Sequence, residues 1–212
     1  MIFSDREQAA RQLVDKLAAY KGRNPLVLAI PRGAVPMAKI VAEALGGEFD
    51  VVLVRKLGAP GNPEFAIGAI DETGWATLGP YAAMAGADEG YIERAKAREL
   101  ETIRRRRAQY SPLHPPIDPA GRIVIVVDDG LATGSTMLAA LHALRQRAPQ
   151  KLICAVPVAP PDTLEKVADR ADEVVCLYAP ENFQAVGQFY ADFGQVEDEE
   201  VIALLSERRK PS

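Results

Sequence analysis

The residues best suited to chemistry lie in one segment, where an apolar strand meets two acids and a loop rich in glycine, serine and threonine. The segment is VVDDGLATGST, residues 126–136. A loop of this composition at the start of a helix presents free backbone N–H groups and hydroxyls, and the helix dipole favours an anion there, so the loop suits a phosphate. The carboxylates of Asp128 and Asp129 would repel that phosphate and need a neutral polyol or a cation. A ribose 5-phosphate with a nearby Mg²⁺ satisfies both halves of the segment.

Two common nucleotide-binding loops do not fit this segment. A Walker A loop ends in Gly-Lys-Ser/Thr, which is absent here, and the chain contains no Gly-x-Gly-x-x-Gly dinucleotide fingerprint. The formal net charge of −4 argues against broad binding to nucleic acid, which needs a surplus of lysine and arginine. We therefore expect a small phosphorylated ligand and no nucleic-acid partner.

The elements that position this segment follow from the pattern of apolar residues. Short continuous apolar runs predict strands buried on both faces, as in parallel sheets, at 26–30, 51–54, 122–127, 152–158 and 173–177. Apolar residues spaced by three and four predict helices over 4–20, 34–45, 137–144 and 164–171. The alternation predicts an α/β fold, a parallel sheet flanked by helices. Ligands bind beyond the carboxyl ends of the strands in such a sheet, which is where Asp128 and Asp129 lie.

Two regions depart from this alternation. A long charge-rich helix is predicted over 88–109, and its final run Arg104–Arg107 is either a polyanion contact or, as we favour, a solvated helix C-terminus. The thin apolar stripe of this helix is also a candidate dimer contact. We divide the chain into a core domain, residues 1–178, with a helical insertion over about 80–110, and a C-terminal hood, residues 179–212.

Other residues indicate structural roles. Ser4-Asp5-Arg6-Glu7 is predicted to be a capping box, with the Ser4 hydroxyl at the helix start. Cys154 and Cys176 lie in apolar runs typical of buried strands, with a disulfide as the alternative. His114 and His142 stand alone, so we expect structural or solvent-facing positions rather than a metal site. The sequence contains no apolar signal segment and no run long enough to span a membrane, so a cytoplasmic location is expected.

Residues 124–136 resemble the 5-phosphoribosyl-1-diphosphate (PRPP) signature of type I phosphoribosyltransferases: four apolar residues, two acids, two variable positions, then a small-Thr-Gly-x-Thr loop. The resemblance implies that Asp128 and Asp129 bind the ribose hydroxyls and help to hold Mg²⁺, largely through the substrate. It implies that the loop binds the 5-phosphate. The implied PRPP-binding set is Asp128, Asp129, Gly130, Leu131, Ala132, Thr133, Gly134, Ser135 and Thr136. Ala132 stands where hypoxanthine-guanine enzymes place an aspartate, and Leu-Ala-Thr-Gly is closer to adenine-type members.

The same resemblance assigns a pyrophosphate site to two further places. The turn at Arg32 and Gly33 follows the first strand and would contact pyrophosphate, often through a strained peptide; Gly33 would permit unusual backbone dihedrals. The alternative is a plain turn with a surface arginine. Arg55 and Lys56 end the second predicted strand and would stabilise the departing diphosphate. The alternative there is a structural salt bridge. The glycine- and proline-rich segment 58–63 resembles the mobile catalytic loop of the family, and 66–78 is predicted to form two short strands.

The hood contains a candidate acceptor site. Its stretch FQAVGQFYADF, residues 183–193, loosely resembles the base-stacking segment of purine phosphoribosyltransferases. Phe183 would stack on the base beside Val186, and Asp192 would be the later acid. The alternative is that these aromatic residues only seal the sheet edge. Glu64 and Asp71, near the glycine-rich segment, either orient the nucleophile or, as we favour, are solvated carboxylates.

The whole chain also resembles a group of bacterial proteins described only as predicted phosphoribosyltransferases, which share the Arg-Lys-Leu-Gly-Ala-Pro-Gly-Asn-Pro-Glu segment. This resemblance implies a glycosyltransferase that moves the phosphoribosyl group from PRPP to a nitrogen acceptor, with a purine-like nucleobase as the expected acceptor and pyrophosphate as the product. In the catalytic set, Asp128, Asp129, Arg32 and Lys56 act with Mg²⁺. A homodimer is possible for this fold. The alternative function is a non-catalytic regulator that binds PRPP or a nucleotide, and a weaker one is a hydrolytic or phosphate-transferring enzyme.

Overall fold

The computed structural model describes residues 2–110 and 115–207. The strands are β1 (Leu26–Ala29), β2 (Glu48–Val51), β3 (Val54–Ala59), β4 (Asn62–Asp71), β5 (Ala76–Leu78), β6 (Ile123–Val127), β7 (Lys151–Val158) and β8 (Glu173–Tyr178). The helices are α1 (Arg6–Lys16), α2 (Val35–Leu45), α3 (Glu89–Tyr110), α4 (Ser135–Arg145), α5 (Pro161–Ala168) and α6 (Asp198–Ser206). Short 3-10 helices cover Ala18–Tyr20 and Val186–Phe189.

Five strands form a parallel sheet in the order β2-β1-β6-β7-β8, as the continuous apolar runs predict. Neighbouring side chains on each strand enter two different cores. Val27 and Ile125 lie in the core under α1 and α2, whereas Leu28, Val124 and Val126 lie in the core under α4 and α5. Both faces are therefore covered, and β6 lies at the centre, so its carboxyl end is flanked by β1 and β7.

The chain from 54 to 78 forms a second, antiparallel sheet in the order β3-β4-β5, packed against α3 and α4. This corrects two predictions: the second parallel strand ends at Val51, and the segment 58–63 is a β-hairpin rather than a mobile loop. Its turn is Pro60-Gly61, where Gly61 has φ +73°, and Ala59 pairs with Asn62. The register shifts at Gly58, where a Cβ would lie 2.5 Å from the Pro63 carbonyl oxygen, so glycine lets the proline-containing strand approach. The two short strands around the 72–74 turn are confirmed.

The long helix α3 confirms its prediction, but its arginine run is not uniformly solvated. The guanidinium of Arg107 donates to Val51 O at 3.0 Å and pairs with Asp50 and with Glu72. Arg104 and Arg105 are exposed. Arg107 therefore fastens the insertion to the end of β2, where a buried carboxylate needs a counter-charge.

Most structural side-chain predictions hold, with corrections at Ser4 and Asp71. Asp5, not Ser4, caps α1, because its carboxylate accepts the Gln8 N–H. Cys154 and Cys176 are free thiols on neighbouring strands, so the disulfide alternative is wrong. His142 stacks on the Trp75 ring, which is a structural position, and His114 lies outside the described residues. Asp71 is buried and binds the turn at Thr73, so it is not a solvated carboxylate; the side chain of Glu64 also lies outside the description.

The chain after β8 packs onto the core. Phe189 and Tyr190 are buried in the same core as α1 and α2, together with Val201 and Leu205 of α6. Residues 3 and 190 also form a parallel β-bridge. No helix among residues 2–110 and 115–207 is long and apolar enough to cross a membrane. The N-terminal segment and the hood thus lie side by side, next to the carboxyl end of the parallel sheet.

Candidate active site

The two acids of the motif lie where the sequence predicts, directly after β6 at the centre of the sheet. Asp128 Oδ1 accepts the Asp129 N–H at 2.9 Å. Burial, with the neighbouring Asp129 carboxylate as the second cause, raises the pKa of Asp128 well above its usual value. Burial also raises the pKa of Asp129, and the charge of Arg6 opposes that rise. Two crowded carboxylates in this environment suit diol hydroxyls or a cation, since either relieves the repulsion between them.

Magnesium fits this donor set only with ligands from elsewhere. Carboxylate oxygens are the donors that Mg²⁺ prefers, and it is often held by one or two carboxylates together with substrate phosphates. Among the residues that the structure describes, no group of three or more His, Cys, Asp or Glu side chains could hold a metal. Asp128 and Asp129 would therefore provide only part of a Mg²⁺ shell, and the remaining ligands would have to come from the substrate or from water.

Residues 130–136, here called the phosphate loop, lead from the acids into α4. The helix begins after Gly134, which has φ +73° and no side chain that could cap the helix. The Ser135 N–H makes only a long hydrogen bond of 3.4 Å, to Thr133 Oγ1, so the helix start can still bind an anion. Thr133 Oγ1 lies 2.9 Å from Ser135 Oγ, and Thr133 is exposed, so hydroxyls face the same space. This arrangement of hydroxyls and a helix start suits a phosphate.

Two contacts hold the phosphate loop in shape. Thr163, a buried residue of α5, donates its hydroxyl to the Ala132 carbonyl at 2.7 Å. A Cβ added to Gly134 would lie only 2.7 Å from the methyl carbon of Thr163, so the two segments are in close contact. The Leu131 N–H donates to Val158 O at 2.9 Å, which ties the loop to the end of β7. Sequence reasoning missed Thr163, because it lies 31 positions from the carbonyl that it binds.

The turn after β1 packs against the acids, and Gly33 does not have the unusual dihedrals that the sequence analysis expected. The peptide bond between Pro31 and Arg32 is cis. Gly33 is not among the positive-φ glycines of the described chain. Its missing side chain matters instead, because a Cβ there would lie only 2.2 Å from Asp129 Oδ2. Glycine is thus needed for the close approach of the carboxylate.

The predicted pyrophosphate cations differ in their surroundings. Arg32 Nη1 is 3.6 Å from Glu197 and 3.7 Å from Asp198, at the start of α6. Arg55 lies within β3 and donates its Nε to Glu99 at 3.0 Å, which corresponds to the salt-bridge alternative. Lys56 is exposed, and its positive charge slightly opposes the rise in the pKa of Asp128.

The hood closes over the motif. Val186 packs on Gly130, where a Cβ would lie 2.6 Å from Val186 Cγ1. Phe183 is half-buried and stacks on Phe189 with ring centroids 5.3 Å apart. The Tyr190 hydroxyl donates to the Asp129 carbonyl at 2.6 Å. Val186 thus lies against the phosphate loop, whereas Phe183 packs against Phe189 and the core.

Arg6 is the residue of this site that the sequence patterns gave no means of predicting. Its Nε lies 2.9 Å from Asp129 Oδ2, although the two residues are 123 positions apart. Local patterns place Arg6 in a helix-capping segment, and ion pairs between distant segments leave no periodic signal in a single sequence. Only the packing of α1 against α2, β7 and β8, which brings its first residue to the end of β6, reveals the pair.

Comparisons with known proteins agree with this geometry. The family model described as "Phosphoribosyl transferase domain" matches residues 2–193. Two proteins of Mycobacterium tuberculosis, named "Putative phosphoribosyl transferase" Rv0571c and MT0597, are each 42% identical over 205 residues, which cover 96% of this chain and 46% of theirs. The chain thus spans about half the length of these relatives. The crystal structure of TT1426 from Thermus thermophilus is 49% identical, with a TM-score of 0.84, and the match covers 98% of this chain and 99% of that one.

These similarities confirm the predicted family and, with the parallel sheet flanked by helices, the predicted phosphoribosyltransferase fold. They also confirm the predicted enzyme class at the level of the family, which is a family of glycosyltransferases. The chain belongs to the phosphoribosyl transferase family.

Proposed function

We propose that this protein transfers the 5-phosphoribosyl group from PRPP to a nitrogen atom of a purine-like nucleobase and releases pyrophosphate. One observation carries the proposal: the phosphate loop connects two half-buried acids to a helix start that has no side-chain cap from its N-cap residue. One end of this site suits a diol and the other suits a phosphate monoester. Ribose 5-phosphate carries both groups at the matching ends of one molecule.

The proposed roles follow from this arrangement. Asp128 and Asp129 bind the ribose hydroxyls, and the phosphate loop holds the 5-phosphate. Arg32 and Lys56 face the diphosphate, with Gly33 beside them, while Arg55 acts through its charge. Bound Mg²⁺ supplies positive charge that neutralises the diphosphate as it departs. Catalysis then consists mainly of positioning and of charge stabilisation around an oxocarbenium-like transition state.

The acceptor site is proposed at Phe183 and Val186. An aromatic ring and a branched apolar side chain offer an apolar surface on which a planar base can stack. Val186 also contacts Gly130 of the phosphate loop. We propose residues 179–212 as the hood of a core domain, residues 1–178. We also propose a cytoplasmic location and a homodimer.

One titration series tests the proposal. PRPP with Mg²⁺ is titrated into the protein by calorimetry, and a panel of nucleobases is then screened for pyrophosphate release. We expect binding, with release for at least one purine. Binding without release for any base would favour the non-catalytic regulator, since Arg55 is engaged by Glu99 and the 58–63 segment is an ordered hairpin. Absence of binding would refute the assignment of the phosphate loop.

The acids provide the decisive variant. Asp128→Asn together with Asp129→Asn should abolish turnover in a protein that still folds, because the amides have the same size and Arg6 keeps its bond to Gly194 O; the lost ion pair should lower the thermal midpoint of unfolding. Asp15→Asn on the exposed face of α1 is the control for the loss of a carboxylate. Full activity in the double variant would exclude these residues from the reaction.

A further inference from the structure

The N-terminal segment is bound along the hood by backbone hydrogen bonds. The Phe3 N–H donates to Phe189 O, the Ala191 N–H donates to Phe3 O, and the Asp192 N–H donates to Ser4 O, each at 2.8 Å. The rings of Phe3 and Tyr190 are 5.5 Å apart. This pairing fixes where α1 begins, and the first residue of α1 is Arg6.

Arg6 joins three parts of the molecule through one side chain. Its Nε and Nη2 lie 2.9 and 2.8 Å from Asp129 Oδ2, and its Nη1 donates to Gly194 O at 2.6 Å. The guanidinium also lies 4.0 Å above the Phe193 ring. The side chain is only 14% exposed. A planar fork of donors can make all these contacts together, whereas an ammonium group cannot.

The same contacts leave one oxygen of Asp129 for a ligand. Oδ2 is enclosed between Arg6 and the backbone of Gly33, where a Cβ would lie 2.2 Å away. Within residues 2–110 and 115–207, no other residue makes a hydrogen bond or ion pair with Oδ1. Because Gly194 and Phe193 also hold the guanidinium, Arg6 is anchored independently of Asp129.

We propose that Arg6 is a positioning residue of the reaction, which fixes Asp129 with Oδ1 turned to the ribose and couples that carboxylate to the hood. The inference rests on the proposed function, because it assigns Oδ1 to the ribose hydroxyls of PRPP. It adds a requirement that the motif alone does not contain: the hood must be seated on residues 3–6 for Asp129 to be oriented. Arg6 does not contact the reacting atoms and acts only through Asp129.

The test compares substitutions at Arg6 with one at Arg11, an exposed arginine five positions later on α1 that pairs only with Glu7 among the described residues. We expect Arg6→Gln to raise both the Kd and the KM for PRPP by about 10- to 100-fold, the usual effect of removing a residue that orients a ligand-binding group. The KM for the acceptor base should change little. Arg6→Lys should recover part of the loss, because it keeps the charge at Asp129 but cannot also reach Gly194 O. Arg11→Gln should match the wild type.

The outcomes separate the two proposals. Wild-type protein that fails to bind PRPP would overturn the proposed function, and this inference with it. Wild-type protein that binds PRPP, with Arg6→Gln binding it equally well, would overturn the inference alone. Equal losses for PRPP and for the acceptor base, with no recovery in Arg6→Lys, would assign Arg6 to general stability and also overturn it. If Arg6→Gln does not fold, Arg6→Lys provides the test: PRPP binding weaker than in the wild type supports the inference, and unchanged binding refutes it.

Discussion

A single methyl group at position 33 should damage the ribose site without disturbing the rest of the fold. In Gly33→Ala, the new Cβ would lie 2.2 Å from Asp129 Oδ2 and 3.1 Å from the Arg6 nitrogens Nε and Nη2. The backbone itself tolerates alanine, since Gly33 does not have a positive φ among the described glycines. The effect therefore comes from contacts with the Arg6–Asp129 pair, and chiefly from the contact with the carboxylate.

The magnitude follows from that contact. An ordinary van der Waals contact at this site begins at 3.4 Å, so the carboxylate of Asp129 must move by more than about 1 Å. Overpacking of this kind typically destabilises a protein by about 1–3 kcal/mol. A misplacement of about 1 Å in a group that positions a substrate typically costs about 100-fold in rate. We therefore expect kcat/KM for PRPP to fall by about 100-fold.

The assay measures kcat/KM and the Kd for PRPP beside the thermal midpoint of unfolding. Gly79→Ala is the matched control, because the nearest atom to its new Cβ is the Ile67 carbonyl oxygen at 3.5 Å, an ordinary contact. The control should keep wild-type activity. Wild-type PRPP affinity in a folded Gly33→Ala protein would refute the reasoning, since it would show that the position of Asp129 does not govern binding.

Three further predictions address the loop, the insertion and the core. Thr163→Val removes the hydroxyl that holds the phosphate loop, so PRPP binding should weaken by about 5- to 10-fold, the equivalent of one hydrogen bond; calorimetry checks this, and Thr163→Ser should bind normally. Burial, followed by the hydrogen bond to Asp198, raises the pKa of Tyr110 from 10.0 to about 12. The folded-state pKa is thus above the unfolded one, so the free energy of unfolding should fall as the pH rises from about 10 to about 12, by no more than about 3 kcal/mol. Denaturant titrations should show less of this fall in Tyr110→Phe. Burial raises the pKa of Cys154 far above its ordinary value, so its thiol should resist alkylation at a pH of about 8 in the native protein and react only after unfolding, as read by mass spectrometry.

The parallel sheet and the phosphate loop could be predicted because both are local in the sequence. A strand buried on both faces must be apolar throughout, and IVIVV at 123–127 satisfies that condition without reference to any other segment. The need for backbone donors at a helix start likewise selects glycine, serine and threonine within a few positions. Such features survive in one sequence because each residue obeys a rule set by its neighbours.

The hairpin at 54–71 could not be predicted in the same way. Glycine and proline between 58 and 63 normally indicate a loop, and their meaning here depends on pairing across the hairpin. Gly58 has no side chain, so the backbone of Pro63 can approach it closely. Pro63 has no N–H to donate, and the regular pairing register is interrupted at this place. Glycine and proline, which usually interrupt a regular strand, thus permit the irregular pairing of β3 with β4.

Ion pairs between distant segments also could not be predicted from the sequence. Arg107 and Arg6 each look like surface residues of a helix, yet each neutralises a carboxylate on a distant segment. Their partners, Asp50 and Asp129, are themselves poorly solvated, and a poorly solvated charge requires a counter-charge somewhere. Sequence reasoning can therefore predict that such an acid needs a cation, but only the fold identifies which one.

The two charge pairs at the site differ in a way that bears on how PRPP would enter. The side chains of Arg6 and Asp129 are 14% and 16% exposed and meet at 2.8 Å, whereas Arg32 meets Glu197 at 3.6 Å with the acid 58% exposed. Asp198 lies at a similar distance of 3.7 Å from Arg32 and is 40% exposed. Exposed pairs of that length contribute about 0–1 kcal/mol each, so a diphosphate can displace both acids from Arg32 at little cost. Breaking the Arg6–Asp129 pair would instead strand a buried charge. If Arg32 takes the diphosphate, ligand entry exchanges partners at the weak pair and leaves the strong one in place, which is why we assign Arg6 to positioning rather than to gating.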